Sequence, residues 1–527
     1  MTRLAASPEQ REAPPAAPRR ARSVWWVVLA VLLVSGTTTG LLTATVQQVE
    51  PPTAAENVDK RAVSFVERQL QAANAPDAAF AVVRDGEVTA SGATGSGITP
   101  DSPMLVGSLS KPVTSLAVMR LVDAGTIDLD APVREYLPWF TTADSADIRV
   151  RHLLEQTSGL PTSAGLGDLN TPEVSLEERV RAVSEVATVS EPGTRFHYCN
   201  KNFATLGLIV EEVTGRDYAD HLQDEVLDPL EMADTYTDMD RARDNGMVEG
   251  AAVLFGAGLP RTAPAFPGAL PDGFLVTTAN DLAHLVQVQS DGTYEGKTVV
   301  SAASLKAMHE PAVGTGDGVF PITDRYALGW GTGTLDGNPV VAHDGDHFAY
   351  HADVGMLPEQ KAGLIVLTAR NGQLYDPAEA YEGGMAVLAG LPEPPVEYAF
   401  LSTYLTINTI GAITVVILAA TLARIPLRLR RARERSARDG AWRAVLLPGL
   451  AWLAGGVALY AGVFFGLGMT MDFIGPMPVA TAFDSAPDIT VLVLAAVGTL
   501  VLRGLIILAA GPFMLSRSRA TRPTPTP

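Results

Sequence analysis

Three short motifs in this 527-residue chain combine residue types that can do chemistry. The first is Gly107-Ser108-Leu109-Ser110-Lys111, the only Ser-x-x-Lys in the sequence. Positions three apart on a helix share a face, so the amine of Lys111 can reach the hydroxyl of Ser108. An amine that close can take the hydroxyl proton and leave a nucleophilic oxygen, which is the chemistry of acyl transfer. Pro112 is tolerated only near a helix start and so places Ser108 at an N-terminus. There the helix dipole and free amides favour negative charge developing on the serine oxygen. The tetrapeptide alone arises often by chance, so its meaning depends on what accompanies it.

The second motif is Tyr198-Cys199-Asn200, the only Tyr-x-Asn in the chain. A phenol beside a serine and a lysine can relay a proton, and an asparagine amide can hold a substrate carbonyl; the plainer reading of Tyr198 is a half-buried aromatic. Cys199 is the only cysteine, which excludes an intramolecular disulfide and reads as a small buried thiol. The third motif is His343-Asp344-Gly345, where the glycine lets a backbone come close. His343, His347 and His351 recur every four residues and, with Asp344 and Asp346, invite a metal reading. Gly345 interrupts the helix that such convergence needs, and no His-Glu-x-x-His is present, so no metal is expected.

The elements that must position these groups read as mixed α and β over residues 51–392. Residues 80–83 and 88–90 flank Asp85-Gly86, the pattern of a two-residue hairpin. Residues 364–368 form a continuous apolar run suited to a buried strand. Phe203, Leu206, Val210 and Val213 lie on one helical face that Gly215 ends. Pro392, Pro394 and Pro395 make a stiff linker.

The flanks are a different material. Residues 1–23 are rich in Pro, Ala and Arg and read as a disordered tail, and residues 24–46 lack charge and are long enough to cross a bilayer as a signal anchor, with a cleaved signal peptide as the alternative. Residues 400–423, 444–468 and 489–515 are three more spans, which makes four. The loop at 424–443 carries eight Arg, the loop before the last span carries Asp472, Asp484 and Asp488, and the tail at 516–527 is basic. Arginine in short loops marks the cytoplasmic side, which puts residues 51–392 outside the cell. Residues 1–50 carry five Arg against three acids and residues 399–527 twelve against five, so the total charge of −19 leaves −28 for residues 51–398. A domain that acidic repels nucleic acid, leaving the lipid bilayer and a small-molecule or peptide substrate as expected partners. Arg503 lies within the last span, where it snorkels or bonds to neighbouring groups.

The order Ser-x-x-Lys, Tyr-x-Asn, His-x-Gly resembles the serine β-lactamase and penicillin-binding family, closest to class C β-lactamases, DD-peptidases and esterases on that scaffold. The segments Leu121-Val122-Asp123-Ala124-Gly125, His152-Leu153-Leu154-Glu155-Gln156-Thr157-Ser158-Gly159-Leu160 and Glu191-Pro192-Gly193-Thr194-Arg195-Phe196 agree with it, over about residues 60–390. The resemblance implies an α+β fold, an antiparallel sheet flanked by helices plus a helical subdomain; it does not cover the four transmembrane helices, which rest on the apolar runs alone. It implies Ser108 as acylated nucleophile, Lys111 and Tyr198 sharing proton transfer, and Asn200 binding the substrate amide. His343 and Gly345 would line the opposite wall, and the amides of Ser108 and Asp346 would form the oxyanion hole; no cofactor is implied. The expected substrate is an amide or ester, such as a peptidoglycan-type peptide, a D-amino-acid peptide or a small ester. The alternative is a membrane sensor that acylates without turnover. His343 stands where β-lactamases have Lys, Gln156 where many relatives have His, and Ala349-Tyr350 where a Gly and an aromatic often follow. An imidazole with the ordinary pKa near 6.5 would lose its hold on a substrate carboxylate between about pH 6 and 8, unless Asp344 and Asp346 raise it.

Overall fold

The computed structural model describes residues 57–519 except 74, 76, 167–173, 256, 317–319, 321, 348, 373–377, 397–398, 432–444 and 471–476. The span expected at 24–46 and most of the basic loop at 424–443 lie outside the described residues.

Strands β1 (Ala78–Arg84) and β2 (Glu87–Thr94) form the hairpin that Asp85-Gly86 predicts. Both turn residues have positive φ, 50° and 84°, which suits the right-handed twist of the flanking strands. The sheet continues through β5 (Val313–Gly314), β6 (Arg325–Tyr326), β7 (Gly331–Leu335), β8 (Asn338–His347), β9 (Tyr350–Leu357) and β10 (Ala362–Thr368). Its order is β2-β1-β10-β9-β8-β7-β6-β5, antiparallel throughout. Strands β9 and β10 are buried along their whole length, because helices cover both faces.

Alternation along the strands sorts side chains between two cores. Phe80 and Val82 point into a layer formed with Phe65 of α1 (Val58–Ala72) and Met385 of α4 (Ala378–Leu388). Ala79, Ala81 and Val83 point the other way, into the larger core shared with Leu116 of α2 (Ser110–Asp123) and Phe203 of α3 (Asn200–Thr214). Helix α3 is the one predicted from the apolar stripe ending at Gly215, which caps it at φ 67°. Two further strands, β3 (Gly250–Leu254) and β4 (Ala257–Arg261), make a small hairpin beside the sheet.

Among the described residues three helices are long and apolar enough to cross a membrane: within α5 (Ala399–Leu422), α6 (Leu447–Thr470) and α8 (Pro487–Arg519). A short helix, α7 (Val479–Ser485), precedes the last of them. The three long helices correspond to the three later spans expected from the sequence; the first, at 24–46, lies outside the described residues. The guanidinium of Arg503 is fully buried between helices and lies over the Trp452 ring, 4.2 Å from its centroid.

Candidate active site

A 3₁₀ turn at Gly107–Leu109 leads into α2 and lifts Ser108 to the surface of a cleft, half-buried. The turn is fixed by Ser110, whose hydroxyl donates to the Gly107 carbonyl (2.8 Å) and accepts the N–H of Leu275 (3.1 Å). Gly107 has φ 52°, and a side chain there would meet the Asp346 backbone at 2.7 Å. One turn further on, Lys111 is fully buried and its Nζ donates to Ser108 Oγ at 2.9 Å and to the Asp272 carbonyl at 2.6 Å. Burial pushes the amine down to about 8, against the opposing charges of Asp272 and Asp344.

The Asp272 carbonyl is itself held. The Asp272 carboxylate pairs with the buried Arg179 guanidinium through two bonds of 2.6 and 3.1 Å, and the Arg179 carbonyl accepts from Lys201 Nζ at 2.7 Å. Thr114, on the next turn of α2, donates to the Pro271 carbonyl at 2.7 Å. These contacts fix where Lys111 can point.

Tyr198 and Asn200 come to the same cleft from the start of α3. Lys111 Nζ lies 4.8 Å from the centroid of the Tyr198 ring. Burial drives the Tyr198 phenol well above its usual range, a hydrogen bond to Ser108 opposing the rise. The side-chain oxygen of Asn200 is buried without a hydrogen-bond partner among the described residues. Gln156 sits behind this segment at φ 56°, its Oε1 accepting from the Cys199 N–H (3.0 Å) and Asn202 Nδ2 (2.5 Å). It thus bonds the Tyr-x-Asn backbone from the position where many relatives carry His.

Strand β8 supplies the opposite wall. A Cβ on Gly345 would meet the Val106 carbonyl at 2.0 Å and the Ser108 nitrogen at 3.0 Å, so only glycine lets the strand lie against the Ser108 turn. His343, two residues earlier and on the same face, is buried with both ring nitrogens engaged. Nε2 meets the Tyr326 hydroxyl at 3.0 Å and Nδ1 the Asp344 carbonyl at 2.5 Å. The expectation that His343 titrates between about pH 6 and 8 is therefore corrected. Burial, reinforced by the Lys111 charge, holds its pKa down at about 3, and the ring is neutral throughout that range.

Asp344 and Asp346 point to the other face of the sheet, as strand alternation requires. There His351 bridges Asp346 (2.8 Å) and Asp353 (2.9 Å), and these carboxylates overcome burial and raise the imidazole well above its ordinary value. Burial and the charges of Asp346 and Asp353 raise Asp344 to about 7. His343 and His347, four apart on β8, share the face that carries the Ser108 turn, whereas His351 on β9 faces away from it.

The aromatic lining of the cleft was not anticipated. Phe320 lies 6.3 Å from Tyr198 and 5.8 Å from His343, and Phe196 lies 5.5 Å from Tyr326, centroid to centroid. Nothing in the local spacing of Phe320 or Tyr326 marks them, since the sheet edge brings them in from far along the chain. The same holds for Arg179 and Asp272.

A family model described as Beta-lactamase matches residues 63–387, well over half of the chain. The chain belongs to the beta-lactamase family. Penicillin-binding protein 4 of Amycolatopsis lactamdurans is 30% identical over 338 residues, covering 61% of this chain and 88% of that protein. Protein flp of Staphylococcus aureus strain MW2 is 26% identical, and the match spans 59% of this chain but only 63% of flp. Among solved structures, the octameric penicillin-binding protein homologue from Pyrococcus abyssi superposes with a TM-score of 0.56 at 25% identity, over 63% of this chain and 78% of that one. The D-amino acid amidase of Ochrobactrum anthropi SV3 shares the fold, with a TM-score of 0.55 at 20% identity, over 63% of this chain and 99% of that one. The matched family region contains the cleft and ends before the three apolar helices.

Proposed function

We propose that the protein is a membrane-anchored serine hydrolase whose catalytic domain faces outward and which works through an ester on Ser108. The observation that carries this reading is the 2.9 Å contact between Ser108 Oγ and a buried Lys111 amine whose pKa is lowered to about 8. Lys111 takes the hydroxyl proton as Oγ attacks a substrate carbonyl, and the Tyr198 phenol passes a proton to the leaving group. Asn200 binds the substrate amide with its unpartnered oxygen. The amides of Ser108 and Asp346, on turn and strand held together at Gly345, receive the oxyanion. Water then attacks the ester, the proton returns along the same groups, and Ser108 is restored.

His343 is neutral and bonded at both nitrogens, and it stands where family β-lactamases carry a cation. Together with the aromatic lining this favours an uncharged acyl group, as in an ester or an N-acyl D-amino-acid amide, over a carboxylated β-lactam. Outward orientation rests on the Arg-rich loop between α5 and α6.

The test is labelling with a serine-reactive fluorophosphonate followed by peptide mass spectrometry. The adduct is expected on Ser108, and Ser108→Ala should lose both label and hydrolysis of a small ester. An adduct on Ser110 or Ser158 would remove the assignment. Substrate given before the label separates turnover from a sensor: a site that hydrolyses its acyl ester regains labelling as substrate is consumed, and a sensor that stays acylated does not.

A further inference from the structure

The three apolar helices meet the hydrolase domain at a buried carboxylate. Asp488, the second residue of α8, accepts the backbone N–H of Phe255 on one oxygen (2.6 Å) and Nδ2 of Asn408, on α5, on the other (3.1 Å). Phe255 follows β3 at the tip of the β3–β4 hairpin in the left-handed region, φ 48°, a conformation a bulky residue holds only when its surroundings fix it. A second contact joins the same two parts: the Arg261 guanidinium, at the end of β4, lies 5.5 Å from the ring centroid of Phe483 on α7.

The other end of this hairpin reaches the cleft. Strand β3 pairs in parallel with Arg370 and Asn371, Ala252 opposite Asn371. The Asn371 side-chain amide donates to Asp346 Oδ1 (2.8 Å) and to the carbonyls of His347 (2.9 Å) and Tyr350 (3.0 Å), closing the turn between β8 and β9. Tyr350 donates its hydroxyl to the Val248 carbonyl (2.7 Å) just before β3, and its ring leaves no room for a Cβ at Gly250. The Asp346 backbone in turn lies against Gly107, next to Ser108. Four successive contacts therefore run from Asp488 to the Ser108 turn: Asp488 to hairpin, hairpin to Asn371, Asn371 to the end of β8, and the Asp346 backbone to Gly107.

We propose that the membrane bundle is a positioning module for the hydrolase site, with Asp488 fixing the β3–β4 hairpin so that the hairpin holds the Asp346 end of β8 against the Ser108 turn. Asp488 touches no substrate; it acts through Asn371 and the strand. The inference rests on Ser108 as the nucleophile for its effect on rate, but not for its effect on the strand.

The experiment uses the full-length chain in lipid nanodiscs and two readouts, the rate of Ser108 labelling by a fluorophosphonate and amide hydrogen exchange over residues 343–347. Asp488→Ala leaves two donors without their acceptor. It should slow labelling by roughly fivefold or more, lower kcat on a neutral ester with KM little changed, and speed exchange over 343–347, since small misplacements of catalytic groups are costly. The swap Asp488→Asn with Asn408→Asp reverses one hydrogen bond and keeps both, and it should return labelling to within about twofold of wild type. Asn371→Ala breaks the same path inside the hydrolase domain, so combining it with Asp488→Ala should slow labelling by less than the product of the two single effects. Wild-type labelling and exchange in Asp488→Ala, a swap as slow as the alanine variant, or a fully multiplicative double variant would each overturn the proposal. A wild-type chain that takes no label at Ser108 sinks the nucleophile reading instead, and the exchange measurement still decides this one.

Discussion

Lys111 must be neutral at the moment it accepts a proton. With its pKa lowered to about 8 by burial, roughly a tenth of the amine is neutral at pH 7, against fewer than one in a thousand for an ordinary lysine. Ser108 labelling should therefore climb with pH, with a midpoint near 8, and level off about one unit above it. The check is the labelling rate from pH 6 to 10; a profile flat to pH 9 would assign the proton to another group. Tyr198 predicts a different curve, because a phenol pushed well above its usual range gives no rise until far more alkaline pH. For His343 the expected outcome is no titration. KM values for a carboxylated acyl substrate and its neutral amide, followed from pH 5 to 8, should run parallel, since a ring with pKa about 3 stays neutral throughout. A KM that rises with pH for the carboxylated substrate alone would restore His343 as a charged anchor. The Ser108–Lys111 pair was legible in the sequence because it is local, one helical turn. The protonation of His343 was not, because its causes are burial and the charge of a residue more than two hundred positions away.

Between elements, the decisive contact is strand β8 lying on the 3₁₀ turn. Gly345→Ala sets a methyl 2.0 Å from the Val106 carbonyl, so strand and turn must separate. A displacement near 1 Å there should cost roughly a hundredfold in labelling rate, whereas the melting temperature should fall by only a few degrees, because the clash is with backbone atoms at the edge of the larger core and removes no buried side chain. A stopped-flow labelling trace and a thermal scan of the same preparation check the two halves of this outcome. Wild-type labelling in the variant would mean that β8 does not shape the site. Hairpin β1–β2, helix α3 and strand β10 could be read from pattern, since Asp85-Gly86, Gly215 and the run at 364–368 speak for themselves locally. The brace behind Lys111 could not. Arg179 and Asp272 meet as a buried pair from distant parts of the chain, and nothing at either position signals the other. The sequence also presented His343, His347 and His351 as a cluster, but the turn into β9 sets His351 on the face opposite the other two.

For the whole molecule, orientation is the first matter. The Arg-rich loop at 424–443 is expected inside and the Asp484 loop outside, because positive loops resist translocation. Cysteines introduced singly at Arg435 and Asp484 should differ on intact cells, the second reacting with a membrane-impermeant maleimide and the first only after lysis. The native Cys199 will not compete, since it is fully buried and its thiol is pushed up to about 11. The reverse labelling pattern would turn the molecule over. The domain over residues 63–387 was recognisable as a family member from ordered motifs. The way the helices attach to it was not, because Asp488 and Phe255 are a carboxylate and an amide with no shared pattern.

That attachment has a spatial consequence. The apolar layer beneath α1 and α4 extends to Val396 and to Leu405 of α5, while Asp488 grips the separate β3–β4 hairpin, so the domain is moored at two places. A domain hung from one flexible linker sweeps a volume that grows with linker length and meets its targets at every height within reach. Two moorings remove the swivel and hold the cleft at a single height. A substrate tethered to the same surface then faces a local concentration that is very high where its own reach brings the scissile bond to that plane and zero where it does not. Tether length would thus select substrates before any residue of the cleft makes contact.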